Sequence, residues 1–198
     1  MLTDDKKKLL NLKIEKLIKN DFSKFVIRNN KALFILSVIG LSIGLIDHFS
    51  VILGYHLFKN TPLIFIFEIL MFFLWIPAVI VIINNHYEYN KFNLTSLSAF
   101  NFFKAVFYNL PISVLVLSIL SILYGLIYFS FSLSDIQGVP GIINGEYVLH
   151  HYETIYKKIS EEEYYKLVDL MILRTSAFVV FFYGFYIGVF YPKKVKKE

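Results

Sequence analysis

Cysteine is absent from the 198-residue chain, which removes disulfides, thiolate metal sites and thiol nucleophiles together. Charge is scarce too: Asp, Glu, Lys and Arg make up 18% of the residues, against about 25% in soluble globular domains. No Gly-rich phosphate loop, nucleophile elbow or H-E-x-x-H zinc motif occurs. His56, His86, His150 and His151 share no spacing with carboxylates that would build a metal site. His150 and His151 are adjacent, so in a strand they point to opposite faces and do not ligate together. No metal, cofactor or enzymatic activity is therefore expected; Glu68, an acid within an apolar run, alone keeps a catalytic reading open. The opening stretch also lacks the pattern of a signal peptide, because roughly thirty polar-rich residues precede the first apolar run.

What is abundant is apolar: 57% of residues are hydrophobic and 18% aromatic, with a mean hydropathy of +0.59. The excess sits in blocks long enough to cross a bilayer, which takes about 20 apolar residues. These features predict an all-α integral membrane protein with a single membrane domain and four spans, at residues 32–53, 63–83, 105–131 and 170–191. Pro77 falls inside the second span, where neighbouring helices can absorb a kink. Pro111, near the start of the third, marks a break after an interfacial segment around residues 95–108. The "NLT" triplet at 93–95 matches a glycosylation sequon, but the topology puts it on the inner side.

Lysine placement orients the spans. Formal net charge is +5 and the sequence pI is about 9.2. The basic residues cluster before the first span (Lys6, Lys7, Lys8, Lys13, Lys16, Lys19, Lys24, Arg28, Lys31) and in the tail (Lys193, Lys194, Lys196, Lys197). By the positive-inside rule both termini are cytoplasmic, as an even number of spans requires. Basic charge placed this way reports topology, and no direct contact with nucleic acid is expected. Residues 4–28 read as a basic amphipathic helix, with Leu10, Ile14, Leu17, Ile18, Phe22, Phe25 and Val26 at three- and four-residue spacing. Such a helix suits the anionic lipid surface or a cytoplasmic effector protein.

The link at 55–61 and residues 132–168 then face outward. The second of these carries Asp135, Glu146, Glu153, Glu161, Glu162 and Glu163 against Lys157, Lys158 and Lys166. It is a small extracytoplasmic cap, not a slack linker. Asn144-Gly145 is a strong two-residue hairpin signal, since both positions favour positive φ, with Ile142-Ile143 and Tyr147-Val148-Leu149 as flanking strands. The stretch "TIYKKIS" is a second extended piece. Ser160 and Glu163 form a capping box that opens a helix running into the fourth span.

The residues Gly138, Pro140, Ile142, Gly145, Tyr147 and Leu149, then Ile159, Ser160, Glu162, Glu163 and Tyr164, and finally Arg174 and Ser176, resemble a pattern in small, mostly uncharacterised bacterial four-span membrane proteins. That pattern leads us to expect a glycine in the turn after Leu149, where this chain has "HHYET". In architecture the chain is similar to membrane subunits of bacterial defence systems, the Kiwa membrane subunit and the membrane accessory of some CRISPR loci among them. This resemblance implies a bacterial inner-membrane sensor or scaffold that recruits a cytoplasmic effector in antiviral defence.

Ionisable residues inside spans are the first functional candidates: Asp47, His48, Glu68 and Arg174. At 1.5 Å per residue, Asp47 and Glu68 lie about 8 Å below the outer surface and Arg174 about 6 Å. The three therefore share one layer beneath the cap, and Arg174 is expected to pair with Asp47 or Glu68. The inner half of every span is aliphatic and aromatic, which argues against a wide conduction path within one chain. Gly40 and Gly44 form a small-xxx-small pair suited to close helix contact, within the chain or between copies of a homo-oligomer. Three functions stay open: a non-enzymatic sensor or scaffold, a channel or transporter with an inter-subunit pore, and an immunity protein against a pore-forming toxin.

Overall fold

The computed structural model describes residues 12–13, 16, 19–55, 57, 63–90, 103, 106–107, 109–132, 138–152 and 154–192. The early apolar positions Leu10, Ile14, Leu17 and Ile18, most of the 95–108 segment, His56, Asp135, Glu153 and the tail lysines lie outside the described residues.

The chain is mostly helical, with a small three-stranded sheet. Its elements run α1 (Asp21–Arg28), α2 (Asn30–Ile52), α3 (Leu63–Asn90), α4 (Ile112–Ser132), β1 (Val139–Ile143), β2 (Glu146–His151), β3 (Thr154–Lys158) and α5 (Glu161–Phe190). Four helices are long and apolar enough to cross a membrane: α2, α3, α4 and α5, with span mean hydropathies of 2.0, 2.7, 2.4 and 1.7. Their outward faces carry large apolar side chains such as Phe72, Phe73, Leu120 and Ile127, all exposed. In water that surface would aggregate, and against lipid tails it is solvated.

Residues 4–28 are not one continuous helix. Residues 12, 13 and 16 are helical, but the chain bends at Asn20, whose Oδ1 accepts from Phe22 N–H at 2.6 Å and caps a new helix. Asparagine competes well for this capping role, so it restarts the helix instead of continuing it. The apolar residues of α1 also divide: Val26 is buried, beside the polar Ser23, while Phe22 and Phe25 stay exposed.

The third span begins where Pro111 predicts a break. Asn109 has φ 55°, and Pro111 directly precedes α4, where a missing N–H costs nothing. Phe103, Val106 and Phe107, described residues of the preceding segment, are helical, and Val106 is fully buried in the core. Helix α3 continues through Pro77.

Helix α5 is the hub. At 30 residues it is about 45 Å long, well beyond a 30 Å hydrocarbon layer, and its acidic first turn reaches the cap. Its deeper half buries Val179, Val180, Tyr183, Tyr186, Ile187, Val189 and Phe190. Helices meet it through glycines. Gly40 lies against the Tyr183 ring and Gly44 against Val179 and Val180, while Gly184 faces Ser121 and Gly125 faces Ala177 and Phe181. The Gly40/Gly44 pair is thus spent on contact within the chain. Span hydroxyls bond back to their own helices: Ser37 to the Leu33 carbonyl (2.8 Å), Ser121 to that of Leu117 (2.8 Å) and Ser130 to that of Leu126 (2.7 Å).

A side chain at Gly184 has no room, because its Cβ would land on Ser121. Gly184→Val should cost about 1–3 kcal/mol, as overpacking does, whereas Leu120→Val on the exposed face of α4 should cost little. Thermal unfolding in detergent checks this: Gly184→Val should unfold several degrees below both the parent and Leu120→Val, and equal midpoints would contradict α4–α5 contact at this position.

Candidate functional site: a capped pocket over a polar layer

The cap is an antiparallel sheet in the order β1-β2-β3. Its first turn is the expected one: Val139 pairs with His150 and Ile143 with Glu146, and Asn144 (φ 53°) and Gly145 (φ 80°) make the turn between them. At the second turn, where the sequence pattern leads one to expect glycine, Tyr152 itself takes φ 52°. The His150 ring supports it, with Nδ1 donating to the Tyr152 carbonyl at 3.1 Å in the tautomer this contact requires. The ring of His151 packs on Tyr152 at 4.5 Å. The register shifts between Leu149 and His150, the irregularity of a bulge. Gly141, which sequence reasoning passed over, is needed because the His150 imidazole lies over it.

Several contacts join the sheet to α5. Ser160 Oγ accepts from Glu163 N–H at 3.1 Å, the expected N-cap. The Glu163 carboxylate goes instead to Lys157 Nζ at 3.0 Å, and Glu146 pairs with Lys158 at 2.6 Å. These exposed pairs add little stability but hold register. Tyr147 packs on Tyr164 (5.0 Å) and Tyr165 (6.4 Å). Desolvation, followed by a hydrogen bond and charge from Glu161, pushes the Tyr147 phenol up to about 12. It therefore stays protonated well above neutral pH.

Beneath the sheet is a cavity of about 270 Å³ lined by Asp47, Phe65, Pro140, Val168, Met171, Ile172 and Thr175. Pro140 comes from β1 and is buried, so a cap residue forms part of the roof. Val168, Met171, Ile172 and Thr175 recur at the i, i+3, i+4, i+7 spacing of one helix face. Asp47 supplies the charge. It is 1% exposed, and its Oδ2 has no hydrogen-bond partner.

His48, also fully buried, points elsewhere. Ser176 Oγ donates to the Ile172 carbonyl at 2.9 Å, so it accepts from His48 Nδ1–H at 2.8 Å, a tautomer inferred from the network. The imidazole is edge-on to Tyr128 (4.4 Å) and Tyr124 (5.4 Å). The partners Ser176, Tyr124 and Tyr128 come from two different helices. Ser176 belongs to the motif quoted above, but nothing in the sequence links it to His48.

Glu68 is half-buried and close enough to Asp47 to feel its charge. The two carboxylates thus lie near one another. Arg174 does not complete the group as expected. No ion pair among the described residues joins it to Asp47 or Glu68. It neighbours Thr175 in sequence, which places it about 100° round α5 from that pocket residue. Depth counts fix height along a helix but not azimuth, and azimuth separates these groups.

No protein-family model matches the chain, and no curated protein or solved structure matches it significantly. The site's chemistry therefore has to be read from its geometry.

The His48–Ser176 contact should couple α2 to α5 energetically. Ser176→Ala leaves a buried imidazole nitrogen unsatisfied, typically at a cost of about 1–3 kcal/mol. His48→Phe keeps an aromatic ring between Tyr124 and Tyr128. In a double-mutant cycle read by thermal unfolding, the pair should couple by about 0.5–3 kcal/mol. Strict additivity would show that the bond contributes nothing.

Proposed function

We propose that this protein is a non-enzymatic sensor of the bacterial inner membrane, multi-pass and with both termini cytoplasmic. In this reading a ligand or disturbance at the capped pocket is relayed to an effector protein held by the basic N-terminal segment, in service of antiviral defence. One observation carries the proposal: a single helix, α5, begins under the cap, lines the pocket and then packs against the other three spans. A change at Pro140 or Asp47 therefore acts on the element that organises the opposite end of the bundle. There α1 buries Val26 in the same core, while Lys24 and Arg28 lie near the proposed inner surface.

A pore through a single chain finds no support in a core filled by Leu41, Met71, Leu74, Tyr183, Tyr186 and Phe190. Homo-oligomerisation belongs to the same proposal. Since Gly40 and Gly44 are used within the chain, copies would meet through the exposed aliphatic and aromatic faces of α3 and α4, with lipids filling the rest.

Two measurements test this. Cysteines placed at Glu146 and Lys194 should react differently with an impermeant maleimide on intact cells, with only Glu146→Cys labelled; equal labelling ends the topology. Deleting residues 2–19 spares the Asn20 cap and α1. It should leave membrane yield intact and abolish recovery of a cytoplasmic partner in detergent pull-downs. An unchanged partner set, or no partner with the full chain, refutes recruitment.

A further inference from the structure

The pocket beneath the cap is small and chemically one-sided. Phe65, Pro140, Val168, Met171 and Ile172 make its walls, and among the described residues its polar side chains are Thr175 and Asp47. A carboxylate 1% exposed with an oxygen lacking any partner is costly in any low-dielectric setting. Glu68, the second acid, lies close enough to feel the Asp47 charge and offers no compensation. Arg174 forms no ion pair with either. The natural complement to such a site is a single positive charge carried by an apolar body.

Further features narrow its class. Among the described residues no three His, Cys, Asp or Glu side chains come together as a metal site, and hard cations require several oxygen ligands. An organic cation needs only one carboxylate and apolar walls. Phe65 adds an aromatic ring, which favours ammonium near its face. A volume of about 270 Å³ falls at the low end of the roughly 300–1,000 Å³ typical of ligand pockets, which suits a compact molecule.

We propose that the pocket binds the protonated amine of a compact hydrophobic amine, with the ammonium paired with the Asp47 carboxylate and the hydrocarbon body lying against Phe65, Met171 and Ile172 beneath Pro140. The ammonium has two sources in a membrane, a free amine or the amino headgroup of a lipid, and both present the same group to Asp47. This inference rests on the reading of the pocket as the sensing site, but its readout is binding alone. A pocket that takes the amine without altering partner recruitment defeats the sensor reading and leaves the ligand class standing.

The test uses the full chain, purified in detergent, with phenethylammonium and its neutral isostere 2-phenylethanol as probes. Phenethylammonium should raise the unfolding midpoint saturably, since a ligand that binds only the folded state stabilises it. 2-Phenylethanol, which enters the micelle equally, should not. Asp47→Asn keeps the shape and removes the charge, and should weaken the effect at least tenfold in probe concentration. Met171→Trp fills the pocket, keeps the carboxylate and should abolish the effect. It serves as the second variant should Asp47→Asn fold poorly. Repeating the titration in phosphatidylcholine nanodiscs with and without phosphatidylethanolamine separates the sources: a headgroup that occupies the site raises the starting midpoint and blunts the response, whereas a free-amine site is indifferent to it. No rise with the amine, an equal rise with the alcohol, or an undiminished response in either folded variant overturns the proposal.

Discussion

Everything in this protein depends on how closely other helices approach α5. Between spans in lipid there is no hydrophobic driving force, because tails are as apolar as leucine, and association rests on van der Waals packing and interhelical hydrogen bonds. Here the packing comes from missing side chains. Gly40 admits the Tyr183 ring, Gly44 admits Val179 and Val180, and where α4 meets α5 Gly125 admits Phe181 and Gly184 admits Ser121. With α5 so enclosed, its N-terminal end can hold the cap at a fixed place while its C-terminal half fills the core.

The same economy governs polar groups. Tyr183 donates to the Phe67 carbonyl at 2.9 Å and Tyr186 to that of Met71 at 2.7 Å, so two buried phenols tie α5 to α3 and leave no hydroxyl unsatisfied. His48 Nδ1 and Ser176 join α2 to α5 in the same way, although His48 Nε2 has no hydrogen-bond partner. Of the buried polar atoms left without a hydrogen bond, the Asp47 oxygen belongs to a residue that lines the pocket, beside apolar walls. Buried polar groups in native proteins are usually satisfied, and an exception asks for a reason. A site kept for a ligand is such a reason, and it is consistent with the presence of a roof. A purely structural linker between spans would have no need of a three-stranded sheet whose Pro140 closes a cavity.

The cap depends on turn chemistry that is local at one end and not at the other. Asn144-Gly145 has two residues suited to positive φ, and the hairpin forms where the pair stands. At Tyr152 the backbone adopts the same left-handed region without a residue that favours it. The His150 and His151 contacts and the pairing of β2 with β3 hold it there.

Local and one-dimensional features were therefore legible from the residues alone. Four apolar blocks, the break at Pro111, the Asn144-Gly145 hairpin, the third strand and the Ser160 cap all follow from hydropathy, turn preference and capping, which act within a few residues. The nearness of Asp47 and Glu68 was legible too, because helical rise converts sequence distance into height. Rotation about each helix axis was not, since it depends on which faces pack. Packing alone put His48 beside Ser176 and between two tyrosines. It also turned the Thr175 face of α5 toward the pocket, directed Gly40 and Gly44 into the chain's own core, and allowed Asn20 to restart a helix so that Val26 could be buried. The pocket itself belongs to that second class: its walls come from α2, α3, β1 and α5, and only their assembly encloses a space with one carboxylate inside it.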